Sequence, residues 1–229
     1  MIDKKYSIAI DGPSGAGKST LAKAVAADLG IVYVDTGAIY RTIGYYVWKH
    51  GIDPKDAEAV TAVLPYIQVD MRYSDDGLQH MMLCGEDVTT QIRLPQISMY
   101  ASAVSAIPTV RAFLLDMQRD MARRHSVIMD GRDIGTVVLP HADVKIFLTA
   151  SAEIRAARRM KELEQRGTPC PFEEVLRDIQ QRDWADSHRE TAPLRQADDA
   201  VLVDNGTTNF DESKQLLLRV IKEALAVEK

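Results

Sequence analysis

Residues 12–19 read Gly-Pro-Ser-Gly-Ala-Gly-Lys-Ser, which fits the pattern G-x-x-x-x-G-K-[ST]. At average composition such a match arises by chance in roughly one chain in a hundred of this length. Its setting is more specific than its letters. The apolar run Tyr6-Ser7-Ile8-Ala9-Ile10 precedes it and reads as a buried strand. Lys18 to Leu29 follows, rich in helix formers, with Gly30 as a stop. Ile31-Val32-Tyr33-Val34-Asp35 reads as a second strand. Strand, loop, helix and strand in about thirty residues make a βαβ unit, which commits the chain to a parallel sheet. A Gly-rich loop in that setting is a phosphate cradle.

The chemistry explains each letter. Glycines let the loop adopt positive φ and bring backbone N–H groups close to an anion. Those groups and the helix N-terminus attract phosphate. Lys18 supplies a point charge at the transferring phosphate, and the Ser19 hydroxyl is a ligand for Mg²⁺. The expected ATP-binding stretch is Gly12, Pro13, Ser14, Gly15, Ala16, Gly17, Lys18, Ser19 and Thr20. The competing reading is a Gly-rich turn without a ligand. The loop alone does not separate kinase, switch and motor.

Composition removes several classes. The 229 residues suffice for one domain with an insertion, and 46% hydrophobic with 27% charged residues is an ordinary globular mix. With 28 Lys+Arg against 33 Asp+Glu the net charge is −5, unlike the basic excess that coats duplex DNA. Cys84 and Cys170 stand far apart and read as free thiols. His50, His80, His125, His141 and His188 show no metal-ligand spacing, and Trp48 and Trp184 read as packing residues. No window has the apolar length of a membrane span, and the N-terminus lacks the apolar stretch of a signal peptide. A cytoplasmic protein is expected.

Thr36 to Lys49 reads as loop and helix. Ile67 to Met71 alternates, Ser74-Asp75-Asp76-Gly77 is a turn, and Leu78 to Leu83 resumes, giving a hairpin inserted in an α/β core. Arg111 to Arg124 is an amphipathic helix. Val127 to Asp130, Val144 to Leu148 and Val201 to Asp204 are three more core strands. Ala152 to Gln165 is a basic helix, Phe172 to Arg189 a helix of mixed charge, and a last helix starts near Asp211.

Two segments open at the carboxyl ends of strands, where α/β sheets bind ligands. Asp35-Thr36-Gly37-Ala38-Ile39-Tyr40-Arg41 offers a carboxylate, a hydroxyl and an arginine to a phosphorylated substrate, or simply a strand end and a helix cap. Asp130-Gly131-Arg132-Asp133-Ile134-Gly135-Thr136 places Asp130 like the carboxylate beside Mg²⁺ in P-loop enzymes. Its alternative is a tight loop with an internal Arg–Asp pair.

With the phosphate loop, these segments resemble the bacterial cytidylate kinases. The resemblance covers essentially the whole chain, including the insertion at about 63–96, and its most specific element is Gly131-Arg132-Asp133. Thr36 stands where that family often has serine; the hydroxyl is retained. The resemblance implies a P-loop fold: a five-stranded parallel sheet flanked by helices, an antiparallel β insertion in the monophosphate-binding region and a helical lid. One domain would span 1–229, with an acceptor region at 37–110 and a lid at 155–190. It implies γ-phosphate transfer from ATP to CMP or dCMP with Mg²⁺. Ser102, Arg111 and Asp133 would hold cytosine, and Thr36, Arg41 and Arg132 the acceptor phosphate, with Asp130 beside them. Arg182 and Arg189 would reach that phosphate from the lid, Asp186 the ribose, and Arg158 would close over ATP. Lys18, Asp130, Arg132, Arg158, Arg182 and Arg189 would be the catalytic set. The expected partners are these small molecules, with no nucleic acid and no membrane, and the chain is taken to act as a monomer.

Cytosine chemistry suits these residue types. A carboxylate accepts from the N4 amine, and a guanidinium donates to N3 and O2. Uracil reverses the sense at two atoms, and buried unpaired groups are expensive. Arg155, Arg158, Arg159, Lys161 and Arg166 otherwise read as a solvated helix face. On the same alternative, Asp178 and Asp186, four residues either side of Arg182, simply pair with it as surface bridges worth little. The alternatives are a kinase of another small acceptor, such as AMP or shikimate, and a nucleotide-dependent switch. A GTP switch needs an Asn/Thr-Lys-x-Asp segment, which is missing from the sequence.

Overall fold

The structure, a computed structural model, describes residues 5–74, 77, 79–165 and 167–227. The chain runs β1 (Ser7–Asp11), α1 (Lys18–Leu29), β2 (Val32–Asp35), α2 (Thr36–Lys49), α3 (Ala57–Val63), β3 (Val69–Tyr73), β4 (Gln79–Leu83) and β5 (Glu86–Asp87). It continues through α4 (Pro95–Val104), α5 (Pro108–Arg124), β6 (Val127–Gly131), β7 (Val144–Thr149), α6 (Ala152–Gln165), α7 (Phe172–His188), β8 (Val201–Asp204) and α8 (Phe210–Val227).

Five strands form the parallel sheet in the order β2-β6-β1-β7-β8, with β1 at the centre. Ile8, Ala9 and Ile10 are fully buried there because helices cover both faces. The alternation of a strand divides them. Ile8 and Ile10 pack with Leu21 and Val25 of α1 and Leu217 and Ile221 of α8. Ala9 points the other way, toward Ile39 and Ile43 of α2, Val104 of α4 and Leu114 of α5. All five strands end on one edge of the sheet, and the phosphate loop follows β1 there.

The insertion is a hairpin, as its alternation predicts, with register from Val69 opposite Leu83 to Tyr73 opposite Gln79. A short third strand, β5, was not legible; the turn before it uses positive φ at Cys84 and Gly85. Asp75 and Asp76 of the expected turn lie outside the described residues, as do Leu78 of the expected strand and Arg166 of the basic run. The expected loop after Asp35 is absent, because the Asp35 carboxylate accepts from Ala38 N at 2.8 Å and α2 starts at once. Helix α5 starts at Pro108, earlier than expected, with proline in its first turn where no N–H partner is lost.

The pair α6 and α7 has a small core of its own, Ala156, Val175 and Ile179. Trp184 on α7 is not a packing residue; it is 65% exposed and stacks on His188 at 4.7 Å. Among the described residues no single helix is long and apolar enough to cross a membrane.

Candidate active site

A crevice of about 590 Å³ opens along the carboxyl edge of the sheet. It brings together every site residue named from sequence except Gly12, Pro13 and Ala16. Those three shape the phosphate loop from behind. A Cβ on Gly12 would lie 1.9 Å from the Leu148 carbonyl oxygen, so only glycine lets β1 pass so close to β7. Gly17 sits at φ 85° ahead of α1, and no side chain caps the helix. Its first N–H groups therefore remain for an anion.

Lys18 is buried, and its ammonium donates to the Pro13 carbonyl at 2.7 Å. Burial, then the Arg132 charge, pushes its pKa well below the ordinary value. Ser19 Oγ donates to Asp130 Oδ2 at 2.8 Å, and the Tyr33 hydroxyl donates to Asp130 Oδ1 at 2.8 Å. Thr36 Oγ1 donates to the Asp130 carbonyl at 2.7 Å. Burial raises the Asp130 pKa, with Asp35 adding to it and Lys18 opposing.

The segment after Asp130 is not the loop that sequence suggests. β6 continues through Gly131, and residues 134–138 close a wide turn in which Leu139 N bonds back to the Ile134 carbonyl at 2.7 Å. The buried Asp11 carboxylate fixes this turn, accepting from Ile134 N at 2.8 Å and Gly135 N at 2.7 Å. The carboxyl end of the phosphate-loop strand thus holds the Arg132-Asp133 segment in place.

Asp11 gives a pH dependence with a definite direction. Burial pushes its carboxyl from 3.8 up to about 6, against the lowering by those two N–H groups. The folded chain then holds a proton that the unfolded chain has released. This contribution to stability is present below about pH 4 and is lost as pH rises through about 6. It amounts to about 3 kcal/mol. The unfolding free energy of the wild type relative to Asp11→Asn is expected to fall by about that amount between about pH 4 and 7. A difference that stays constant across urea titrations at those pH values would refute the assignment.

Charged pairs line the opposite wall. Arg41 donates to the Asp35 carboxylate at 2.8 Å. The Arg111 guanidinium pairs with Asp133, donates to the Ser105 carbonyl at 3.1 Å and lies 5.6 Å from the Tyr40 ring centre. Arg189 reaches the other Asp133 oxygen at 3.3 Å and Ser105 Oγ at 3.4 Å. Ser105 Oγ in turn donates to the Ser102 carbonyl at 2.8 Å. Asp133 is raised by burial, with Arg111 and Arg189 pulling it back.

The alternative in which Arg182 merely pairs with Asp178 and Asp186 is not what the structure shows. Asp186 instead accepts from Arg132 Nε at 2.7 Å. Among the described residues, Nε of Arg182 and Nε of Arg41 are buried without a hydrogen-bond partner. Burial, then the nearby Arg132, brings Arg182 down to about 10. Such a surplus of buried guanidinium donors suits a multiply charged anion.

The basic run is only partly a solvated face. Arg159 pairs with Glu162 at 3.0 Å near the surface. Arg158 donates to the Asn205 carbonyl at 2.7 Å, beside the phosphate loop. Arg155 is buried and donates to the Ser14 carbonyl at 2.9 Å and to both Asp183 oxygens. Sequence reasoning missed Arg155, as it missed Asp11, Tyr33, Tyr40 and Asn205. Asp11 and Asn205 end or directly follow strands, and the rule that strand ends face the crevice was signal enough for both.

A phosphate loop at the switch point of a five-stranded parallel sheet, facing a wall of arginines, defines a P-loop phosphotransferase with a small acceptor. A solved structure of an uncharacterized protein from Eubacterium ventriosum shares the fold, with a TM-score of 0.54 at 13% identity over 96% of this chain and 99% of that one. The chain belongs to the cytidylate kinase family, whose profile matches residues 8–223. It is 47% identical to a cytidylate kinase from Caldicellulosiruptor bescii over 225 residues, 98% of this chain and 99% of that one. A cytidylate kinase from Flavobacterium johnsoniae is 44% identical over 229 residues, 98% of this chain and all of that one.

Proposed function

We infer that the chain transfers the γ-phosphoryl group of ATP to CMP or dCMP, giving CDP or dCDP. The observation that carries this is the Arg111–Asp133 pair, buried in the same crevice that the phosphate loop lines. A phosphate oxygen of the acceptor attacks the γ-phosphorus, and the bond to the β-phosphate oxygen breaks, with ADP leaving. Residues 12–20 hold the triphosphate, and Arg158 closes over it. Lys18, Arg132, Arg182 and Arg189 spread positive charge around the phosphoryl group in flight, the main way proteins accelerate this chemistry. Thr36 and Arg41 hold the acceptor phosphate, Asp186 its ribose, and Ser102, Arg111 and Asp133 its base.

Ser19 and Asp130 present hard oxygen donors side by side, a donor set that fits Mg²⁺. When bound, the ion neutralises charge on the β- and γ-phosphate oxygens. Tyr33 and Thr36 hold the Asp130 carboxylate and backbone in place for it.

On this reading residues 37–110 form the acceptor region and 155–190 a lid within one kinase domain. The small separate core of α6 and α7 supports such a moving part. The same reading makes the chain a cytoplasmic monomer. The test is ADP release with CMP, dCMP, UMP, AMP and shikimate as acceptors. CMP and dCMP are expected to give the highest kcat/KM. Equal or faster turnover with AMP or shikimate would replace this reading with that of another small-acceptor kinase.

A further inference from the structure

None of the substrate-binding side chains named above falls in the antiparallel insertion, residues 69–87. Strand β2 is the outer strand of the parallel sheet, so one side of its backbone has no strand to pair with. Tyr73 and Gln79, which face each other across one rung of β3 and β4, close that side. Gln79 Oε1 accepts from Asp35 N at 2.8 Å, and Gln79 Nε2 donates to the Asp35 carbonyl at 3.3 Å. The Tyr73 hydroxyl donates to the Tyr33 carbonyl at 3.1 Å. One glutamine amide thus takes the place of a residue on a neighbouring strand.

The two residues so clamped carry site side chains. The Asp35 carboxylate caps α2 with one oxygen and holds Arg41 with the other. Tyr33 holds Asp130. That ion pair ties Arg41 to Asp35, and glycine at 37 leaves room for it, since a Cβ there would lie 3.1 Å from both Arg41 Nη1 and Asp35 Oδ1. A shift of the Asp35 backbone is therefore passed on to the guanidinium.

We propose that Gln79 is a positioning residue for the acceptor: it fixes the Asp35 backbone, and through Asp35 it aims Arg41 at the acceptor phosphate. The insertion would then serve acceptor binding as well as covering a sheet edge. This rests on the reading of Arg41 as a phosphate ligand, so the test includes Arg41 itself.

Gln79→Met keeps the bulk of the side chain and removes both hydrogen bonds. It is expected to raise KM for CMP about tenfold, because small misplacements of a positioning group are costly, while KM for ATP changes less than about twofold. Thermal unfolding run alongside separates this from edge protection alone. A lowered Tm with unchanged KM for CMP, or an equal rise in both KM values, would overturn the proposal. Arg41→Ala raising KM for CMP while Gln79→Met does not would also overturn it and leave the phosphate reading standing. If Arg41→Ala leaves KM for CMP unchanged, the phosphate reading fails and the role of Gln79 fails with it.

Discussion

Lys18→Ala is expected to lower kcat at least about a thousandfold while the chain stays folded, since charge stabilisation of a transferring phosphoryl group is worth about that much. Among the described residues the side chain makes one hydrogen bond, to the Pro13 carbonyl, and its ammonium is buried at a cost. Removing it therefore takes away little that holds the core together. It does take away the one lysine of the phosphate loop, the charge proposed above to meet the phosphoryl group in flight. The neighbouring arginines do not replace it: Arg132 reaches the crevice from the end of β6 and Arg158 from α6, and neither belongs to the phosphate loop. Steady-state ADP release gives the rate, and a thermal melt shows whether the fold survives. Lys18→Met, closer in volume, guards against collapse of the loop. Turnover within about tenfold of wild type in both variants, with an unchanged melt, would remove Lys18 from the phosphoryl-transfer machinery.

The parts of this molecule that sequence revealed are those whose signal is local. The βαβ start is one: an apolar run, a Gly-rich loop and helix formers follow one another, and the structure puts β1, the loop and α1 there. The hairpin of the insertion declared itself by alternation. What escaped was set by contacts between distant residues. Asp11 reads as the last letter of a strand, yet it holds the turn at 134–138 from more than a hundred residues away. Arg155 sits in a basic run like its neighbours, but it faces the phosphate loop and Asp183, whereas Arg159 faces water. Helical periodicity separates faces only when the buried side is known, and here both faces carry arginine. The partner of Asp186 escaped for a similar reason. Spacing along one helix favours Arg182, but Arg132 from another element lies closer to the carboxylate.

On the proposed reading Asp133 sets the base preference, and Asp133→Asn is expected to bring kcat/KM for CMP and UMP close together from an initial ratio of at least tens-fold. Sites that hydrogen-bond a polar group reject its mismatch by up to about 10⁴, and an open, wetted crevice lowers that ceiling. Both Asp133 oxygens already meet arginines, Arg111 on one and Arg189 on the other. Each carboxylate oxygen accepts more than one hydrogen bond, so the pair keeps room for the cytosine amine. Uracil would set a carbonyl oxygen against the same carboxylate. Asparagine turns its NH₂ toward that oxygen and relieves the clash. Both variants take the anion from two buried guanidiniums, a loss that costs about 3–5 kcal/mol, but only asparagine leaves them an acceptor oxygen, so Asp133→Ala is the cruder variant. It should lower CMP turnover more than UMP turnover and also lower Tm. Arg132→Ala provides the contrast: a phosphate contact does not read the base, so both substrates should fall by the same factor. The measurement is kcat/KM for CMP and UMP in wild type and the three variants. An unchanged ratio in Asp133→Asn would make Asp133 an organiser of Arg111 and Arg189 and move base reading to those arginines and Ser102.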